Sequence, residues 1–158
     1  MKDNKTNAMR ALDKAGIAYE PKTYEVDESD LSGTHIADEI GLPAEMVFKT
    51  LVARGDKKGP SVFCIPAGAE LDLKAAAKLT GDKKIELLPV KELLGLTGYI
   101  RGGCSPIGMK KHFPTYIDDT CLSFEKITIS SGTKGIQLLL DPRELIAFVD
   151  ASPAHLTV

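Results

Sequence analysis

The chain has 158 residues, 43% of them hydrophobic and 27% charged, with a formal net charge of −2, enough apolar material for one ordinary domain with a substantial core. That charge excludes a protein that coats nucleic acid non-specifically, because such affinity comes from many Lys and Arg contacts to phosphate. No apolar run approaches the ~20 residues that cross a bilayer, and the start, MKDNKTNAMRALDKAG, lacks the apolar core of a secretory signal, so a cytoplasmic location is expected.

In chain order, NKTNAMRALDKAG predicts a helix with Ala8, Leu12 and Ala15 on one face and Gly16 as its stop. IAYEPKTYEV predicts a strand near a sheet edge, since Pro21 cannot donate to a ladder. GTHIADEIG is a short helix ending at Gly41, and Pro43 suits the first turn of another. FKTLVARGDKKGPSVFCIPA predicts a hairpin, with two β-rich runs around a polar turn, which puts Lys49 at the start of a strand. In LDLKAAAKLTG, Asp72 is the expected N-cap and Gly81 the stop. A shorter helix in PVKELLG, a glycine-rich stretch, and strands in TYIDD and ITISS follow. GIQLLLDPRELIAFV predicts a strand running into a helix, with Asp141 at the cap and Pro142 in the first turn. Irregular interleaving of helices and strands, with an antiparallel hairpin, favours an α+β fold with a mixed, curved sheet over a regular βαβ nucleotide-binding fold.

Lys49 stands in the apolar run MVFKTLVA. Strand alternation places it with Leu51 and Ala53, where a cation either finds an anion, loses its proton or reaches solvent along its stem. GYIRGGCSPIG holds four glycines and a proline, permitting a loop that aims several amides at one anion or carbonyl oxygen, to which Ser105 adds a hydroxyl; an ordinary tight loop is the plainer alternative. ISSGTKG reads first as a polar hairpin turn and second as a holder of phosphate or ribose. Cys64, Cys104 and Cys121 are odd in number and widely spaced, so neither a disulfide framework nor a metal pair is expected, and nothing sets a base beside Cys104. His35, His112 and His155 show no metal spacing. The paired Asp118 and Asp119 read as a solvated turn.

Taken together, Lys49-Thr50, the run Gly98 to Gly108, and Ser131-Gly132-Thr133-Lys134-Gly135 resemble, in order and spacing, the YbaK family of bacterial Cys-tRNA(Pro) deacylases. These are relatives of the editing domain inserted in many prolyl-tRNA synthetases. The likeness covers nearly the whole chain and implies a single editing domain over residues 1–158, with a barrel-like sheet flanked by helices. It implies hydrolysis of the ester joining a wrong amino acid to tRNA(Pro). A proline-shaped pocket cannot reject smaller residues strongly, since one methylene is worth only ~1–3 kcal/mol, and a second sieve is needed. Alanine editing, or a binding module without turnover, stands as an alternative.

By the same resemblance Lys49, Gly102 and Gly103 are the catalytic set, and Gly102 to Pro106 match the family's G-x-x-x-P loop. Tyr19, Thr50, Cys104, Ser105, Pro106, Ser131 and Asp141 would bind substrate. Attack would come from the substrate's own thiol, in a lyase-like cyclisation, or from water steered by a ribose hydroxyl. The expected partners are the 3′ end of tRNA(Pro) carrying cysteine and prolyl-tRNA synthetase; no cofactor, metal, membrane or DNA is called for. One departure is that family members often carry two adjacent basic residues in the turn where this chain has Thr133-Lys134.

Overall fold

Five helices and eight strands follow one another in the computed structural model, which describes residues 5–30 and 32–158. Helix α1 (Asn7–Ala15) is capped by Thr6, whose side chain accepts from the Met9 amide, and ends at Gly16 in the left-handed region. Its buried residues are Ala8, Met9 and Leu12; Ala15, expected on that face, is exposed. Strand β1 (Tyr19–Thr23) leads to α2 (Gly33–Ile40), a 3-10 turn (Ala44–Met46) and the hairpin of β2 (Phe48–Gly55) and β3 (Gly59–Pro66). Then come α3 (Leu73–Thr80), β4 (Ile85–Leu87) and α4 (Val90–Thr97). After a long loop follow β5 (Thr115–Asp118), β6 (Ile127–Ser130), β7 (Ile136–Leu140), α5 (Pro142–Val149) and β8 (Ala151–Ala154).

The strands form two sheets, neither closed into a barrel. One is antiparallel, in the order β1-β7-β6; Pro21 lies on its edge strand, where its missing donor costs nothing. The other is mixed, in the order β4-β2-β3-β5-β8, with β5 parallel to both β3 and β8. The sheets meet where Val47, just before β2, bridges Thr128 of β6. Helix α4 runs through Gly95 to its stop at Gly98, past the end that PVKELLG alone indicates.

Alternation along β2 and β3 distributes side chains between two cores. Phe48, Val52, Val62 and Cys64 join Ile129, Leu138 and Leu145 in the larger one, with α1 and α5 packed on it. Ala53, Phe63 and Ile65 face the other way, against Ala76 and Ala77 of α3, and Phe63 stacks on Tyr116 with ring centres 5.4 Å apart. Asp118 is buried rather than solvated: it accepts from the Leu156 amide at 2.9 Å and from the Thr120 hydroxyl, tying the C-terminal segment to β5. No helix among the described residues is long and apolar enough to cross a membrane.

Candidate functional site

The edge of β2 is left open over a short span. Antiparallel pairing turns the backbone groups of alternate residues to opposite sides of a strand. Val47 accepts from Ala67 on the β3 side, and Val52 accepts from Leu88 on the other. Strand β4 pairs with β2 only from Ala53 to Gly55, and β6 touches only beside Val47. Between those contacts Phe48 to Leu51 have no ladder partner on that side among the described residues, and there a cavity of about 580 Å³ opens.

Lys49 and Thr50 line this cavity from β2, and Gly102 and Cys104 line it from the glycine loop. The two stretches singled out by sequence therefore share one space. Lys49 is half-buried; burial pushes its ammonium below the usual lysine value, and the carboxylate of Glu70 acts in the opposite direction. Thr50 Oγ1 lies 3.7 Å from Cys64 Sγ. The Cys104 thiol is pushed up to about 12, first by burial and then by nearby Cys64, so at neutral pH it is not a thiolate.

The glycine loop is tightly tied. Gly102 has φ 87°, a conformation side chains rarely adopt, and the Gly103 amide donates to the Ile100 carbonyl at 3.0 Å. That amide is engaged in the turn, and Gly103 is not among the residues lining the cavity. Ser105 is fully buried, with Oγ accepting from the Ile107 amide at 3.3 Å, so its hydroxyl shapes the loop. Pro106 lies instead on a smaller space of about 190 Å³ beside Phe148. The Tyr99 hydroxyl donates to the Ile107 carbonyl, and a Cβ on Gly132 would run into its ring, which wedges Tyr99 between the loop and the β6–β7 turn.

Three other expected residues lie away from the cavity walls. Ser131 is buried, its Oγ accepting from the Thr133 amide at 3.4 Å within the β6–β7 turn. Asp141 caps α5, accepting from the Arg143 amide at 2.8 Å. Tyr19 pairs with Leu140 and packs on the larger core. In their place the β6–β7 hairpin brings Ser130 and Gln137, which face each other across the ladder and both line the cavity. Ser130 Oγ accepts from the Gly132 amide at 3.1 Å. Gln137 Oε1 accepts from Thr128 Oγ1 at 3.2 Å, while its Nε2 has no hydrogen-bond partner among the described residues. Ser130 was legible in ISSGTKG; Gln137 carries no local signal in a strand of leucines.

A cation on an open strand edge and a glycine loop thus share one cavity in an α+β fold. Residues 32–148 match the family described as the aminoacyl-tRNA editing domain, and the chain belongs to it. It is 43% identical over 153 residues, 97% of this chain and 93% of the other, to an Enterococcus faecalis protein named as a candidate Cys-tRNA(Pro)/Cys-tRNA(Cys) deacylase, EbsC. Among solved structures it resembles one described as a candidate trans-editing enzyme for prolyl tRNA synthetase, with TM-score 0.81, 27% identity, and coverage of 94% of this chain and 93% of that one. The hypothetical protein APE2540 shares the fold, with TM-score 0.85 at 22% identity, covering 94% and 97% of the two chains.

Proposed function

We propose that this protein hydrolyses the ester joining cysteine to the 3′ end of tRNA(Pro), acting in trans to prolyl-tRNA synthetase. The observation that carries this reading is that half-buried Lys49 and the glycine loop line one cavity. Its volume of about 580 Å³ lies within the range of about 300–1,000 Å³ found for small-molecule sites, and it has room for an aminoacyl group together with the nucleoside it esterifies.

In this reading Lys49 receives the negative charge that accompanies the substrate, which compensates the hydration lost on the strand. As water adds to the ester carbonyl, the amides of Gly102 and Cys104 meet the growing oxyanion, a task the engaged Gly103 amide does not share. The C–O bond to the ribose then breaks, and the ribose oxygen leaves with the proton that water gives up. Gln137 Nε2 donates to a substrate oxygen, and Thr50 holds the acyl end. Neutral Cys104 serves as wall, which agrees with attack by water or by the substrate's own thiol rather than by the protein.

The test is hydrolysis of Cys-, Ala- and Ser-tRNA(Pro) by the purified protein under one condition. Ester loss from Cys-tRNA(Pro) well above buffer is expected. Equal rates on alanine would assign attack to water and widen the substrate class; no acceleration on any of the three would sink the proposal.

A further inference from the structure

The smaller space of about 190 Å³ shares no lining residue with the cavity beside β2. Its floor is apolar and buried: Ile107 from the glycine-rich stretch, Phe113 before β5 and Val149 at the end of α5 are each under one-tenth exposed. Phe148 forms an open wall, 37% exposed, and the short side chain of Ala11 on α1 leaves unfilled the room a larger residue would take. A large apolar side chain left in water on the wall of a hollow marks a surface that a ligand covers. The size limits that ligand. An apolar cavity of about 150 Å³ binds benzene, whereas full-sized ligands occupy about 300–1,000 Å³, so this hollow suits a single ring or branched chain.

The rim sets the charge. Lys111 and His112 line the pocket and no acidic residue does. Neither side chain has a hydrogen bond or ion pair among the described residues, whereas Lys134 contacts Glu28 at 3.1 Å and Arg54 contacts Glu92 at 2.8 Å. The Thr115 hydroxyl, the remaining side-chain donor on the wall, is spent on the Phe113 carbonyl at 2.9 Å. The donors left for a ligand's polar end therefore stand together at Lys111 and His112. One ammonium offsets one unit of negative charge, the charge that a carboxylate carries.

We infer that this pocket is a second binding site, for a small free carboxylate bearing one aromatic ring or branched alkyl group. The apolar group lies against Phe148 and Val149 over Ile107, and the carboxylate accepts from the Lys111 ammonium and the His112 ring at the rim. The site goes beyond the deacylase reading and does not depend on it.

The experiment titrates the full chain with 4-fluorophenylacetate, and separately with uncharged 4-fluorotoluene, followed by ¹⁹F NMR. Saturable binding of the carboxylate is expected, about fivefold or more tighter than that of 4-fluorotoluene. Lys111→Glu should weaken the carboxylate about tenfold and leave 4-fluorotoluene unchanged, while Phe148→Ala should weaken both probes about threefold. Of the four methionines, Met109 alone lines the pocket, so its ¹³C-methyl resonance should move as the carboxylate is added. Equal affinity for the two probes would make the hollow a seat for an uncharged apolar group, such as a partner's side chain, and would overturn the proposal. So would wild-type carboxylate affinity in Lys111→Glu, no binding of 4-fluorophenylacetate, or movement confined to the methyl of Met46, which precedes the β2 cavity wall at Val47. No tRNA and no ester take part, so failure here leaves the deacylase reading standing, and failure of that reading leaves this site untouched.

Discussion

An ammonium placed on a strand beside Leu51 and across from Ile65 gives up part of its hydration, and burial accordingly holds Lys49 below the ordinary lysine value despite the opposing pull of Glu70. Because the folded chain disfavours the charged form, it binds fewer protons than the unfolded chain between the two titration points, and stability rises with pH there. Below the folded value the cost is present in full, so it applies at neutral pH. Lys49→Met removes the charge and keeps the apolar stem. The variant should therefore melt at a higher temperature than wild type at pH about 7, with the gap closing as pH rises through the lysine range. It should also lose about ten- to a hundredfold in kcat/KM, the scale of one hydrogen bond to a charged group, about 1.5–3 kcal/mol. Paired melting curves and deacylation rates decide the matter. A lower melting temperature would make Lys49 a structural cation.

The β2–β3 hairpin and the α3–β4 turn clasp each other through two aspartates. Asp82 accepts from the amides of Lys57 and Lys58 at 2.8 and 2.7 Å, and Asp56 accepts from those of Lys83 and Lys84 at 3.0 and 3.2 Å. Gly55 allows this approach, since a Cβ there would overlap the Asp82 carboxylate. The Thr80 hydroxyl first, then the Lys58 and Lys57 amides, hold Asp82 below 3.8. A depressed carboxyl contributes stability that is present above its unfolded value and is lost as pH falls through the folded one. Asp82→Asn should thus lower the urea midpoint at pH about 7, and the difference from wild type should fade as pH drops below the ordinary Asp value. A difference constant across that range would mean that the charge contributes nothing. Local devices of this size account for what the sequence makes legible. The Asp72 cap, the Gly81 stop, the hairpin turn and Pro21 at an edge each act within a few residues, so their residue types announce them. Strands β4 and β8 are too short to show a period, and β8 reads ASPA. They are strands because β2 and β5 offer them edges, which is a property of the assembled sheet.

At the scale of the whole molecule, the site is the gap where one sheet crosses the edge of the other. Lys49 and the glycine loop stand out in sequence as chemical oddities. Gln137, Arg101 and Leu87 do not, because only the crossing of β6 over the start of β2 gives them a common space. The glycine loop belongs to the chain between α4 and β5, and the β6–β7 turn belongs to the other sheet. They touch at Gly103, where a Cβ would stand 3.3 Å from both Lys134 N and Thr133 Cα. That separation is tight enough that backbone on one side must yield to any side chain. Gly103→Val should therefore push loop and turn apart, at a stability cost of about 1–3 kcal/mol, and draw the Gly102 and Cys104 amides away from the ester. Urea unfolding and kcat/KM measured on the same preparation separate the two effects. Hydrolysis should fall at least tenfold under conditions where more than nine-tenths of the variant is folded, an amount corresponding to about 1.4 kcal/mol of transition-state stabilisation. Wild-type kcat/KM in a measurably destabilised Gly103→Val would show that the join between the two sheets does not position the reacting groups.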